Sequence, residues 1–461
     1  MAERLLLTFG KFSGMDQSAS QLDTPLHATH DAQNVEVRGG VLYTCNNDAL
    51  AYDVGKGPIC TLIDRVEAGE ENRPLSRLYA ATDDGIYRRK DDGTWEDAQV
   101  FAGQQSGRYD VCNYSVGEVY YTVFANGVDQ MGVWNGHGQA EQLGPDTRFL
   151  SVCLHYERMW GTGNRNNHQR VWYSNAYTAN DWYGKGSGSV DVYSPNTART
   201  IAVRSYYNEL VVFKDREIFR IYGTYPGEFG IAKVMGDYGP VNPQSIVSCM
   251  DRVYYMSERD GICYYDGLRT RPLMDEKLRE FFMNPQLNLE NCCGIAKGGK
   301  LYFALDEDGD GINDCAIQYD TIRKSYLLYR GIQANCFLLR EDEILYGSND
   351  GRIYRLLSAE EGIRRRAYWR TPRQDLGAKY VKKCATVLYA HAQGEGELRI
   401  IADFGERVRE KKMQLTEALT PIRVAIPALG RTVQFTFENV EGSHFILHSP
   451  QIALEVDEDW R

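Results

Sequence analysis

The sequence predicts an all-β protein: a β-propeller of seven blades, or six if one hairpin lies outside the ring, followed by a small C-terminal β-sandwich. Three observations predict it. A two-strand pattern recurs along most of the chain. Its anchors, Ile86, Val133, Val171, Ile218, Ile262, Ile317 and Ile353, average about 44–45 residues apart. The 461 residues include Tyr 31 and Gly 44 against Phe 16 and Pro 14, a mix suited to short strands joined by tight turns.

Each anchor sits in a strand carrying an aromatic beside a branched aliphatic, as in GIYRRKDDGTW, GVWNGHGQ, RVWYSNAY, EIFRIYG, GICYYDG, AIQYDT and RIYRLLS. A partner strand precedes each: SRLYAATDD, EVYYTVFAN, ERMWGTG, NELVVFKD, DRVYYMSE, GKLYFALD and DEILYGSND. These alternate with period two and end in turn residues. A small sheet of this kind cannot bury both faces alone, and closing a ring buries them against its neighbours. A β-helix or a row of sandwiches would share the composition. One short helix interrupts the pattern in MDEKLREFFM (274–283), with Asp275 as its N-cap and Leu278, Phe281 and Phe282 on one face.

The expected domain order is an extended N-terminal arm over 1–35, the propeller over 36–362, a basic linker over 363–374 and the sandwich over 375–461. The arm is rich in polar and turn residues. The sandwich is read from alternating runs such as KCATVLYAHA, GELRIIADF, RTVQFTFENV and QIALEVDE.

Lys+Arg 52 against Asp+Glu 63 gives a net charge of −11, which excludes general DNA or membrane binding through the global field but not through a local basic patch. The 11 cysteines contain no CxxC, so zinc and redox-pair readings give way to small buried thiols in a reducing compartment. MAERLLLTFG is too short an apolar stretch for a signal peptide, and no run is long enough to span a membrane.

The sharpest local motif is DEDGDGIND, Asp306–Asp314, between two strands. Carboxylates at alternate positions can wrap a hard cation, and Gly311 allows the sharp turn. Ile317 stands where an EF-hand needs its bidentate Glu. The spacing is closer to the calcium hairpins of integrin-type propellers. That resemblance implies Asp306, Asp308, Asp310 and Asp314 as side-chain ligands of a structural Ca²⁺, with the Ile312 carbonyl as a fifth. The bland reading is an acidic, solvated hairpin tip.

A second cluster is basic: Arg364, Arg365, Arg366, Arg370, Arg373, Lys379, Lys382 and Lys383. It reads either as a surface for phosphates or an acidic partner, or as a solvated face beside the domain joint. No GxSxG, HExxH, P-loop or GxGxxG occurs, so no catalytic residue is assigned and no enzyme is expected. Carboxylates gathered around a propeller channel could still hydrolyse glycosides.

Longer stretches carry a family resemblance. FGKFSGMDQSASQLDTPLHATHDAQNVEVRGGVLYTCNN, ERMWGTGNRNNHQRVWYSNAYTANDWYG, NELVVFKDREIFRIYGTYPGEF and MDRVYYMSERDGICYYDGLRTRPLMDEKLREFF resemble the propeller proteins of tailed-phage head-to-tail and tail structures, the packaged-DNA stabilisation or tail-nozzle type. The acidic hairpin and the high cysteine count depart from that group. The resemblance implies a virion structural protein of the tail or connector, synthesised in the host cytoplasm. It implies a homo-oligomeric ring, often a hexamer, between portal or adaptor proteins and the tail, with phage DNA passing through the lumen without sequence specificity. The alternative is a carbohydrate-binding or glycoside-hydrolysing propeller.

Overall fold

The structure is a computed structural model, and it describes residues 3–69, 74–273, 276–375, 381–405, 407–440 and 442–456. Among the described residues, seven four-stranded antiparallel sheets follow one another around a ring. Blade 1 begins at Thr61–Ala68, blade 2 at Asp110–Val116, blade 3 at Ser151–His155 and blade 4 at Thr200–Tyr206. Blade 5 begins at Ile246–Cys249, blade 6 at Asn288–Lys297 and blade 7 at Cys336–Arg340. These first strands are innermost, and a shared apolar cluster fills each gap between neighbouring blades.

All seven sequence anchors fall on the third strand of a blade, and all are buried. Period-two alternation explains this, since one face of each third strand must meet the next blade. Blade 7 supplies only three strands of its own. Its fourth is Asn47–Asp53, which pairs antiparallel with Arg352–Ser358 and closes the ring with a strand from the other end of the chain.

The segment expected as an extended arm over 1–35 is instead woven into the sandwich. Glu3–Thr8 pairs along its whole length with His444–Val456, Leu5 opposite Leu454. Asp31–Gln33 joins the five-stranded sheet through Tyr368–Arg370, so the expected linker also carries a sheet strand. Val35–Arg38 and Val41–Thr44 form a hairpin on the six-stranded sheet. Phe9, Phe12 and Met15 are buried in the core that the sandwich shares with blades 5–7. Apolar burial at these isolated positions outweighs the polar composition around them. The helix expected over 274–283 shortens to one turn, Arg279–Phe282, whose Phe281 is buried, while Asp275 lies outside the described residues.

The joint between ring and sandwich is polar. Asp48, on the closing strand, is fully buried, and its Oδ2 lies 2.5 Å from Arg365 Nη2. The same oxygen accepts the Tyr346 hydroxyl at 2.6 Å, and Oδ1 accepts the Leu357 N–H at 2.9 Å. Arg365 Nε donates to the Gly331 carbonyl of the blade 6–7 connection at 3.2 Å. Burial and the neighbouring Asp48 carboxylate hold the Tyr346 phenol far above its ordinary range.

Asp48→Asn is expected to cost about 3–5 kcal/mol, because it leaves the Arg365 guanidinium buried without its counter-charge. Urea melts check the loss. The double variant Asp48→Asn/Arg365→Met is expected to recover most of it.

Candidate functional site

Alternating strand directions send the turns between second and third strands, and the blade-to-blade connections, to one face of the ring. Two polar assemblies lie there: a network across the ring axis, and the acidic hairpin of blade 6.

The axial network joins innermost strands that are not neighbours. Arg204 of blade 4 makes a two-pronged pair with Asp110 of blade 2, Nη1 to Oδ2 at 2.9 Å and Nη2 to Oδ1 at 3.1 Å. It also reaches Ser151 Oγ of blade 3 at 3.0 Å and the Pro243 carbonyl before blade 5 at 2.9 Å. Arg108, just before blade 2, donates to the Asn291 and Cys292 carbonyls of blade 6 at 3.1 and 3.3 Å. Protein groups therefore bridge the axis, and a charge pair of this geometry is among the stronger polar contacts. Sequence reasoning missed it. The only signal was a charged residue inside each of two otherwise strand-like runs, DVCNYSV and TIAVRSY.

In the acidic hairpin, Asp306, Asp308 and Asp310 each offer a carboxylate oxygen within 4.8 Å of the others. Asp306 is buried, with Oδ1 accepting the Gly309 N–H at 2.6 Å and Oδ2 the Gly311 N–H at 2.8 Å. Asp310 Oδ1 accepts the Ile312 N–H at 2.7 Å. Gly309 and Gly311 have φ of 81° and 91°, a conformation that side chains with a Cβ resist.

Asp314 stands apart from this trio: its Oδ1 accepts the Glu307 N–H at 2.9 Å and closes the loop base. Burial raises its carboxyl above the ordinary range; Asp308, Glu307 and Asp306 add to the rise and the Glu307 N–H opposes it. Glu307 itself is held by Arg330 at 2.6 and 2.7 Å. The trio thus fits a hard cation's preference for converging oxygens, with the loop braced from beneath by Asn313, which donates to the Asn291 and Ala334 carbonyls at 2.9 and 2.7 Å.

The basic run is not one open surface. Arg365 and Lys383 are buried, and Lys383 Nζ donates to the Arg431 carbonyl at 2.6 Å. Arg366 pairs with Glu438, Arg370 with Asp31 at 2.7 Å, and Arg373 with Asp403. Arg364 is half exposed and 4.0 Å from Glu395. Lys382 is half-buried, and Lys379 lies outside the described residues. Most of the run therefore binds the sandwich to its neighbours.

A polar cleft of about 350 Å³ lies between the N-terminal segment, blade 6 and the sandwich, lined by Gln17, His30, Asp31, Glu280, Glu307 and Arg330 among others. His30 is buried, with Nε2 2.6 Å from Thr24 Oγ1 and Nδ1 4.0 Å from Glu280. All described cysteines are free thiols, most of them buried. Burial, with Asp83 nearby, pushes Cys60 up to about 12; burial, opposed by Arg108, pushes Cys292 up to about 12.

No family model matches the chain, and no curated protein matches it significantly. Among solved structures, the computationally designed Ika8 protein overlaps 75% of this chain and 99% of its own, at 10% identity and a TM-score of 0.38. The Neurospora crassa Pan2 WD40 domain overlaps 65% of this chain and 88% of its own, at 6% identity and a TM-score of 0.39. BBS1N, solved in complex with ARL6DN, overlaps 69% of this chain and 99% of its own, at 11% identity and a TM-score of 0.41. Overlaps this loose carry no argument; the propeller is established by the strand pairing itself.

His155, on the innermost strand of blade 3, gives a pH test of this packing. Burial lowers it to about 4, and its Nδ1 is 2.8 Å from Ser205 Oγ. Below its ordinary value of 6.5, the unfolded chain takes up a proton that the folded chain refuses until about pH 4. Stability is therefore expected to fall as pH drops through that window, by at most about 3 kcal/mol from this group. Denaturant melts of wild type and His155→Gln across the window check it, the variant showing the shallower decline.

Proposed function

We propose that the protein is a structural virion component of a tailed phage, a ring-forming subunit of the head-to-tail connector or tail nozzle that helps retain and channel packaged DNA. The resemblance of the N-terminal stretch and of blades 3–5 to that group supports the reading. The observation that carries it is the bridged axis. A propeller that works on a small substrate uses the funnel along its axis, and here Arg204, Asp110 and Arg108 fill that space with the protein's own bonds. The remaining asset is a rigid wall whose sheets leave only short, protected edges. DNA would pass through the lumen enclosed by several copies, where a net charge of −11 favours sliding over sticking.

The carbohydrate reading ranks second. In the polar cleft Asp31 is committed to Arg370 and Tyr368, and Glu307 to Arg330. That leaves Glu280, which has only His30 beside it at 4.0 Å, whereas glycoside hydrolysis takes a pair of carboxylates.

The same proposal gives the acidic hairpin a structural Ca²⁺ held by Asp306, Asp308 and Asp310 with the Ile312 carbonyl, while Asp314, bonded to the Glu307 N–H, braces the loop base instead of joining the expected ligand set. Its role is to neutralise five acids in one loop and stiffen it.

Two outcomes are expected. Particles made without the gene should lack a complete tail or lose their DNA, and mass spectrometry of intact particles should find the protein in multiple copies. Normal, DNA-filled particles without it would overturn the reading. Separately, excess Ca²⁺ over chelator should raise the melting temperature by roughly 2–4 °C, and Asp310→Ala should abolish that response. Identical wild-type melts in both conditions would leave the hairpin an ordinary acidic turn.

A further inference from the structure

We propose that the cleft where the segment after blade 7 meets the five-stranded sheet is a binding site for a phosphate group. The cleft is about 420 Å³, and its charged lining is Arg364, Arg365, Arg366, Arg399, Lys412 and Glu438. Five cations to one acid is an unusual local balance on a chain of net charge −11.

Three observations point to an anion. Arg399 and Lys412 stand directly opposite each other on the antiparallel strands Glu397–Asp403 and Val408–Gln414. Like charges in that position repel unless something negative lies between or beside them. Lys412 makes no ion pair within 4 Å among the described residues, and Arg399 reaches the half-exposed Glu410 at 2.6 Å. Next, two buried guanidinium nitrogens in the lining, Arg365 Nη1 and Arg399 Nε, have no acceptor, although the Arg365 side chain is only 5% exposed. Buried donors without acceptors are costly, so a ligand bringing several acceptors is rewarded there.

The single acid is half engaged: Glu438 Oε1 is held by Arg366, while Oε2 lies 3.6 Å from Arg399 Nη1 and makes no hydrogen bond of its own. Arg365 and Arg364 have their own acids, Asp48 and Glu395, outside the lining. A planar guanidinium matches phosphate oxygens in pairs, and a lysine adds a point charge, so this set suits a phosphate better than a lone carboxylate. The strand register supplies Arg399 and Lys412, which the sequence cluster 364–383 did not contain. The proposal is independent of the virion reading.

The test uses the purified full chain at low ionic strength, titrated with inorganic phosphate by ³¹P NMR and with a short DNA duplex by fluorescence anisotropy. Phosphate is expected to saturate, and Arg364→Gln/Lys412→Gln should weaken it at least about tenfold. Both side chains reach solvent, and a melt confirms that the variant folds. Arg352→Gln, on blade 7, should change nothing. A duplex that binds more tightly than phosphate, and weakens steeply with salt, would identify the phosphate as one in a nucleic-acid backbone. Binding of phosphate alone would identify a small anion. Absence of saturation with both probes, or equal binding by the folded double variant, overturns the proposal.

Discussion

The Asp48 carboxylate is where ring closure and sandwich docking become one event. A propeller is stable only once its last blade meets its first, and here the closing strand comes from the opposite end of the chain. Asp48 on that strand takes a hydroxyl from the second strand of blade 7, an N–H from the third and a guanidinium from the segment leaving the ring. Asp48 and Tyr346 are buried, and the Arg365 side chain is nearly so. Leaving any one unmatched strands a buried charge or polar group, so the partially closed ring is penalised and the fully closed one is favoured. The cost of joining positions about 300 residues apart grows only slowly with the length of the loop, which makes such a distant latch affordable.

The same logic explains why the sandwich is assembled from both ends of the chain. The outer strand of blade 6, Ser325–Arg330, would otherwise present a free edge, a template for unwanted pairing. Asn34 covers it: its N–H donates to Leu328 O, its side-chain oxygen accepts the Arg330 N–H, and its Nδ2 donates to Arg366 O. Asn34 does this at φ 54°, a left-handed conformation that asparagine tolerates better than most residues. Met15, bonded to Tyr326 O, extends the cover. The sandwich is therefore an edge cap for the propeller as much as a module of its own.

These roles mark the limit of what the sequence discloses. The ring was legible because every blade repeats a local signal, a branched residue such as Ile218 or Ile262 inside an alternating strand. The N-terminal weave was not. Its strands are three to six residues long, its core residues Phe9, Phe12 and Met15 stand singly, and its partners lie at the far end of the chain. The basic run was only partly legible for a related reason. Local charge density suggested an open face, while the acids that neutralise it, Asp31, Asp48, Asp403 and Glu438, are remote in sequence. The acidic hairpin was read correctly as a turn between two strands, because its glycines and alternate acids are local. The separation of Asp314 from the other three acids depends on its bond to Glu307 N–H, which spacing does not reveal.

Buried polar atoms without partners occur in blades 1 and 3 as well as at the junction of ring and sandwich, but the axis and the junction differ in what their charged groups have left to offer. Along the axis, Arg204 and Asp110 meet each other's hydrogen-bonding needs, so that space has little left to offer a ligand. At the junction of ring and sandwich, guanidinium donors remain without acceptors, and like charges face each other across a strand pair. Recognition draws on groups the fold has not already used. On the phosphate-site proposal, the ring centre serves rigidity and anion recognition falls at the junction, where the segment leaving blade 7 meets the five-stranded sheet.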